Sequence, residues 1–553
     1  MTAPTPSRWL FGPVRDLGVG CGLLYLALFG WFALAGSGAR AAIPGWLLPV
    51  LLVCVSTPHY GATLLRVYEE RSDRRRYAVF AVWASLAVFA LFALGLRDAT
   101  VASLLLTLYL TWSPWHYTGQ NYGLAVMFLR RRGIALDATT KRWLYAAFAL
   151  SYGLVFLAFH AAKGPGAVQY AAAGYSDARV VFLSIGVPAP IARPLFAGIG
   201  IGTLLALGVA AARLLRRARP GDLLPPATLA LTQALWFALP ICFVYAGVRT
   251  GLEPIDGYVT IQEYAFWIAA GHGAQYLWVT TYYARAAGKR GSSTPLFLAK
   301  SLTAGLAIWT LPVLLFSPDL LGGASDATTL AVMIASAVNL HHFILDGAIW
   351  KLRDGPIARA LLRGASDAVK SATSGWGRRA LWVTACAWLA LQGLGKLDWE
   401  LHVLPASDPL DPPHLSRALE RLRWLGWDDA GLRLSLGIEA GQRGELAEAR
   451  REIRRSLTLE ETARAWVAMS HVEVHSGRPE AARQALLRAV RAEPENPDAW
   501  AHSSQVWLAL GDLAPARAAL ERALTLAPAR DDLRQQLARL PDGEGAGPDA
   551  GDG

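Results

Sequence analysis

Charge is scarce in this chain: Asp, Glu, Lys and Arg supply 17% of its 553 residues, against 54% hydrophobic. A soluble domain carries about 25% charge, so an ordinary soluble protein is excluded for most of the length. Cysteine is scarcer still. The four are Cys21, Cys54, Cys242 and Cys386, and no two form a Cys-x-x-Cys pair. All four lie in apolar runs, so they read as packing residues and say nothing about redox compartment. A small-residue cleavage site before Arg40 is also lacking, so the first apolar run is expected to remain as a helix.

What is present is a series of apolar stretches of about 20 residues, each long enough to cross a hydrocarbon core about 30 Å thick. Eleven are predicted: Asp16 to Gly36, Ile43 to Arg66, Tyr77 to Gly95, Val101 to Leu129, Arg142 to Ala161, Pro194 to Ala212, Ala227 to Ala246, Val259 to Ala284, Phe297 to Phe316, Ala327 to Trp350, and Arg379 to Gly395. Between Gly164 and Arg193 the run Val180 to Val187 is broken by Pro188, Pro190 and Pro194, and reads as a half-helix or surface loop.

Loops after the even-numbered spans hold 25 Lys and Arg, from Arg66 to Arg379, whereas the opposite loops hold six: Arg40, Arg97, Lys163, Arg179, Arg193 and Arg249. By the positive-inside rule the N-terminus is cytoplasmic and everything after the eleventh span lies outside the cytoplasm, in a bacterial-type inner membrane. The formal net charge of +11 is therefore first a topology signal. No basic face with interleaved aromatics marks the soluble part, so nucleic acid is not an expected partner.

After Lys396 the composition changes. Pro405, Pro409, Pro412 and Pro413 suggest a linker, and beyond it a 34-residue period pairs Trp466 with Trp500, Gly477 with Gly511, Ala482 with Ala516, Leu486 with Leu520, Ala489 with Ala523 and Pro494 with Pro528. Gly444, Ala449, Ile453 and Ser456 repeat the pattern 33 residues earlier. This register resembles the tetratricopeptide repeat, a helical hairpin with large residues on its first helix and alanines where the helices touch. The resemblance implies a stack whose concave surface binds protein segments. The expected fold is therefore all-α: a polytopic transmembrane bundle (1–396), a Pro-rich linker (397–414), a repeat solenoid (415–540) and a disordered Gly, Asp and Pro tail (541–553).

Ionisable residues at membrane depth are costly and tend to be functional. His59 lies 7 residues before Arg66, His116 lies 14 before Arg130, His272 lies 13 before Arg285, and His341, adjacent to His342, lies 10 before Lys351. At 1.5 Å per residue these depths are about 10–20 Å from the basic belt, on four helices running the same way. Helical spacing places Gln120 four after His116, Gln275 three after His272 and Asp346 four after His342, as supporting partners or further ligands. Each histidine alone is explained by a hydrogen-bonded helix contact, and the set also by a proton or ion pathway. Matched depth on four helices favours a metal site built from His59, His116, His272, His341 and His342. Imidazoles with a carboxylate and no thiolate suit iron, and also zinc or manganese.

Pro58-His59-Tyr60-Gly61, His116-Tyr117, Gly271-His272-Gly273 and His341-His342 resemble the short histidine motifs of bacterial integral-membrane oxygenases that cleave β-carotene. That family's aspartates after the early histidines are missing, with Gln120 at one such place. The resemblance implies an iron-dependent oxygenase acting on a lipid-soluble substrate. Two other classes remain open. One is a glycosyltransferase using lipid-linked sugars, although the loop Ser37 to Pro44 lacks the acidic pair such enzymes need. The other is a non-catalytic scaffold recruiting partners through its repeats.

Overall fold

The computed structural model describes residues 7–35, 44, 47–69, 71–161, 180–238, 261–286, 294–316, 327–350, 358–363 and 376–540. Among them every regular element is a helix. The chain divides into two units, Met1–Val313 with Thr328–Leu389, and Leu314–Ala327 with Ala390–Gly553. The expected tail, 541–553, lies outside the described residues.

Among the described residues five helical stretches are long and apolar enough to cross a membrane: Ala138–His160, Ala189–Leu215, Thr294–Val313, Leu330–Ile349 and Arg379–Ser407. They differ in what they cover. The apolar stretch of Leu330–Ile349 is 72% buried, that of Ala189–Leu215 only 17%, with Ile201 and Leu204 turned outward. The first is a core helix of the unit and the second is an outer wall, whose apolar surface in water would be an unexplained patch.

The longer helices of the first unit among the described residues are α1 (Leu23–Ala35), α2 (Thr57–Tyr68), α3 (Ser85–Gly95), α4 (Ala99–Arg131), α5 (Ala138–His160), α6 (Ala189–Leu215), α7 (Leu224–Gln233), α8 (Ile261–Ala286), α9 (Thr294–Phe316) and α10 (Ala327–Ile349), followed by α11 (Trp376–Asp398), which runs into the second unit. The expected first span is broken. Asp16 is fully buried and accepts from the backbone N–H of Leu10 (2.6 Å) and Phe11 (3.0 Å) and from Trp278 Nε1 (3.1 Å), so α1 begins only after Gly22 turns the chain at φ +86°. Asp98 and Asp137 start α4 and α5 by accepting backbone N–H bonds. The Thr140 hydroxyl and backbone, with Arg213 and Arg217, hold the Asp137 carboxyl below its ordinary range.

The Val180 run, expected as a half-helix or loop, is an extended segment laid along α4. Its backbone N–H groups find side chains instead of a helix ladder: Val181 donates to Ser103 Oγ (3.0 Å), Leu183 to Thr107 Oγ1 (2.8 Å) and Ile185 to His160 Nδ1 (3.3 Å). Pro188 and Pro190 then open α6 at Ala189, five residues earlier than Pro194 suggested, because a missing N–H costs nothing in a first helical turn.

In the second unit α12 (Pro412–Leu422) precedes three hairpins, α13–α14 (Ala430–Gln442, Leu446–Leu459), α15–α16 (Ala463–His475, Pro479–Ala492) and α17–α18 (Pro497–Ala509, Leu513–Leu526), and then α19 (Asp531–Ala538). Each hairpin turns at a glycine of positive φ: Gly444 (+79°), Gly477 (+69°) and Gly511 (+81°). Ala449, Ala482 and Ala516 are fully buried at the helix contacts. Small residues recur at a second register too, Gly437, Ser470 and Ser504, where a Cβ on Gly437 would lie 2.5 Å from Ile453. Arg433, 1% exposed, bonds Asp428 (2.7 Å), Glu452 (2.9 Å) and Glu420 (3.3 Å). The 397–414 segment read as a linker is instead largely helical. Pro412 and Pro413 occupy the first turn of α12, and Val403 and Ala406 pack with Leu415, Leu419 and Leu436 against the first hairpin.

Candidate metal centre

Four of the five singled-out histidines converge. Pro58 has no N–H for the Cys54 carbonyl, and the turn at Leu52–Ser56 widens to π-helical geometry. That geometry brings the Ser56 carbonyl onto Nδ1 of His59, and the bond fixes the ring. Gly273 lets α8 sit against the same turn, since a Cβ there would lie 3.2 Å from the Val55 carbonyl oxygen. Gly61 and Gly305 do the same for α2 and α9, where a Cβ would fall 1.8 Å and 2.1 Å from facing backbone oxygens.

The imidazole centroids form a closed ring of four: His59–His342 4.7 Å, His342–His116 5.0 Å, His116–His272 5.0 Å and His272–His59 5.3 Å. Ligand atoms of His59, His272 and His342 lie within 4.8 Å of one another, as do those of His116, His342 and Asp346, so His342 belongs to both groups.

Asp346 anchors a hydrogen-bonded chain. Its Oδ1 accepts from Tyr276 OH (2.7 Å) and Thr63 Oγ1 (2.8 Å), and Tyr276 OH accepts in turn from Trp350 Nε1 (3.0 Å). With its one hydrogen committed, Thr63 Oγ1 accepts from Nδ1 of His342 (3.0 Å). His342 Nε2 is thereby left as a lone pair, 3.6 Å from Asp346 Oδ2, and His116 Nε2 stands 3.7 Å from the same oxygen. These separations are too long for hydrogen bonds. They are close to the spacing of about 3.4 Å between two ligand atoms each about 2.1 Å from one tetrahedral metal.

Among the described residues four buried imidazole nitrogens have no hydrogen-bond partner: His116 Nε2, both nitrogens of His272, and His342 Nε2. Two other histidines make the contrast. His160 Nε2 meets Thr111 (3.1 Å), and His341 Nε2 meets Ser85 (3.0 Å) and Tyr68 (3.3 Å).

The candidate ligand set therefore changes at one residue. His341, one residue from His342 and about 100° around the helix, faces α2 and α3 and leaves the cluster. Gln120 and Gln275 do face each other, but through their amides: Gln120 donates to Gln275 and to the His272 backbone carbonyl (3.5 Å), and Gln275 donates to the Gly20 carbonyl (2.8 Å). Neither hydrogen-bonds an imidazole. Thr63 and Tyr276, unmarked in the sequence reading, are the side chains that hold Asp346, each four residues after a cluster histidine.

Residues 463–506 match the tetratricopeptide repeat, covering α15, α16 and most of α17. No curated protein matches the chain.

Proposed function

We propose that the first unit is a membrane-spanning bundle whose His59, His116, His272 and His342, with Asp346, hold iron, and that it works as an oxygenase or related oxidoreductase on a lipid-soluble substrate. The observation that carries this reading is the gathering of potential ligand atoms into two groups that share His342, one of His116, His342 and Asp346 and one of His59, His272 and His342. Each unsatisfied buried polar group costs about 1–3 kcal/mol, and a cation satisfies one nitrogen of each imidazole that binds it. Two histidines with one carboxylate, His116, His342 and Asp346, are the donor set of mononuclear iron(II) oxygenases, while zinc or manganese suits the same atoms. Iron would supply one-electron chemistry with dioxygen. The chain's own residues orient the donors: Thr63 fixes the tautomer of His342, Ser56 that of His59, and Tyr276 holds Asp346.

In the same reading the apolar stretches cross the membrane an odd number of times, the basic loops lie in the cytoplasm, and the repeats lie outside it to bind a protein partner. Tetratricopeptide repeats bind protein segments on their concave surface, which supports the partner independently of the metal.

Elemental analysis of detergent-purified protein tests the centre. Wild type and His341→Ala are expected to carry near-stoichiometric iron after growth in iron-supplemented medium, and His116→Ala and His272→Ala to lose it. A wild-type protein free of transition metal would leave the histidines structural or proton-carrying and favour a non-catalytic scaffold.

A further inference from the structure

Beside His116 and Asp346 the first unit opens into a cavity of about 320 Å³. Its lining on α4 is a single stripe that includes Trp112, His116, Gly119, Gly123 and Met127. Fifteen residues at 1.5 Å each make that stripe about 22 Å long. The opposite wall comes from Phe343 and Gly347 on α10 and from Trp350 just after it.

Polarity along the groove is lopsided. His116, Gln120, Tyr276 and Asp346 stand at the metal centre, whereas the stretch from Gly123 toward Met127 is walled by Leu124, Val279 and Leu361. Among the described residues a hydroxyl or charge on a ligand would find no side-chain partner along that stretch, at a cost that disfavours polar lipids. The glycines also differ from those that bring helices together. Among the described residues a Cβ added at Gly119, Gly123 or Gly347 would meet nothing within 4 Å, where Gly61 and Gly305 touch backbone. Glycine in a helix interior is unfavourable relative to alanine. At these three positions helix packing does not require it, and its effect is to keep the floor of the groove clear beside the metal ligands.

We infer that this groove binds a linear, uncharged apolar chain, polymethylene or polyene, laid along α4 from Trp112 toward Met127, with Gly119, Gly123 and Gly347 setting what fits. That the chain's reacting carbon lies beside His116 and Asp346 rests on the metal-centre reading, while the binding itself does not.

The test uses full-length protein in phosphatidylcholine nanodiscs, titrated with the methyl ester of cis-parinaric acid, a tetraene that quenches tryptophan emission. Trp112, Trp115 and Trp350 line the groove and report on it. A saturable quench is expected for wild type and for Gly208→Leu, a control on α6 where an added Cβ also meets nothing within 4 Å. Gly123→Leu and Gly347→Leu each displace about two methylenes of the chain and should weaken the saturable component about tenfold, with Gly123→Ala between. Metal content, measured in parallel, should be the same in all of them. Saturable, glycine-sensitive binding in a protein without metal would uphold the groove and remove the oxygenase reading. Absence of a saturable component in wild type, or equal affinity in wild type and both groove variants with circular dichroism unchanged, would overturn the proposal.

Discussion

One hydroxyl couples the two ligand groups. Thr63 Oγ1 accepts from His342 and donates to Asp346, so a near-isosteric Thr63→Val leaves both short of a partner while keeping the packing of α2. Partners of this kind typically account for 10–100-fold in metal affinity. Thr63→Val should lower iron affinity by about that factor in a chelator competition, and Thr63→Ser should restore it. An unchanged affinity would mean that His342 is oriented by packing alone. In the repeats the comparable residue is Arg433. Removing one partner of a buried ion pair strands the others, so Arg433→Ala should destabilise the second unit by about 3–5 kcal/mol in urea melts, and Arg433→Met by less. The gathering of four histidines was legible from residue type, since ionisable residues in long apolar runs are rare. The choice between His341 and His342 was not, because adjacent residues differ by a rotation that only the packed helix reveals. Thr63 and Tyr276 were hidden for another reason: hydroxyl side chains are common in apolar helices, and only the i,i+4 relation to His59 and His272 set them apart.

At the level of elements, proline was the residue most easily misread. Pro405, Pro412 and Pro413 looked like a linker, yet each sits in the opening turn of a helix, where its fixed φ suits the geometry. The apolar residues around them settle the matter, because Val403 is fully buried on the first hairpin. A fragment of 399–540 should accordingly be more stable than one of 415–540, by at least the 1.5–3 kcal/mol that burying one valine contributes. Thermal melts followed by circular dichroism would show it, and equal melting temperatures would return 399–414 to the status of a tether. The repeats themselves were plain in the sequence because their constraint is local: a glycine at each turn and an alanine at each helix contact recur at a fixed interval. The first apolar span was misjudged for the opposite reason. Its break at Gly22 serves a distant carboxylate contact, between Asp16 and Trp278, that no window of sequence contains.

For the whole molecule, the charge asymmetry of 25 basic residues against six predicts an extracytoplasmic second unit. Reporter fusions after Leu540, which keep that unit intact, should be active only outside the cytoplasm, and a cytoplasmic signal would mean that the number of crossings is even. The two units also assemble under different rules. Each repeat helix packs on its neighbours in sequence, and such local contacts form fast. The centre in the bundle joins Thr63 to Asp346 across 283 residues. At about 5–20 residues per second, a ribosome needs about 15–60 s to cover that distance. For that interval His59, His116 and, later, His272 exist before their last partner has been synthesised. The order of synthesis thus makes α10 the helix that completes the centre, and a nascent chain stalled before it would have the imidazoles without the carboxylate.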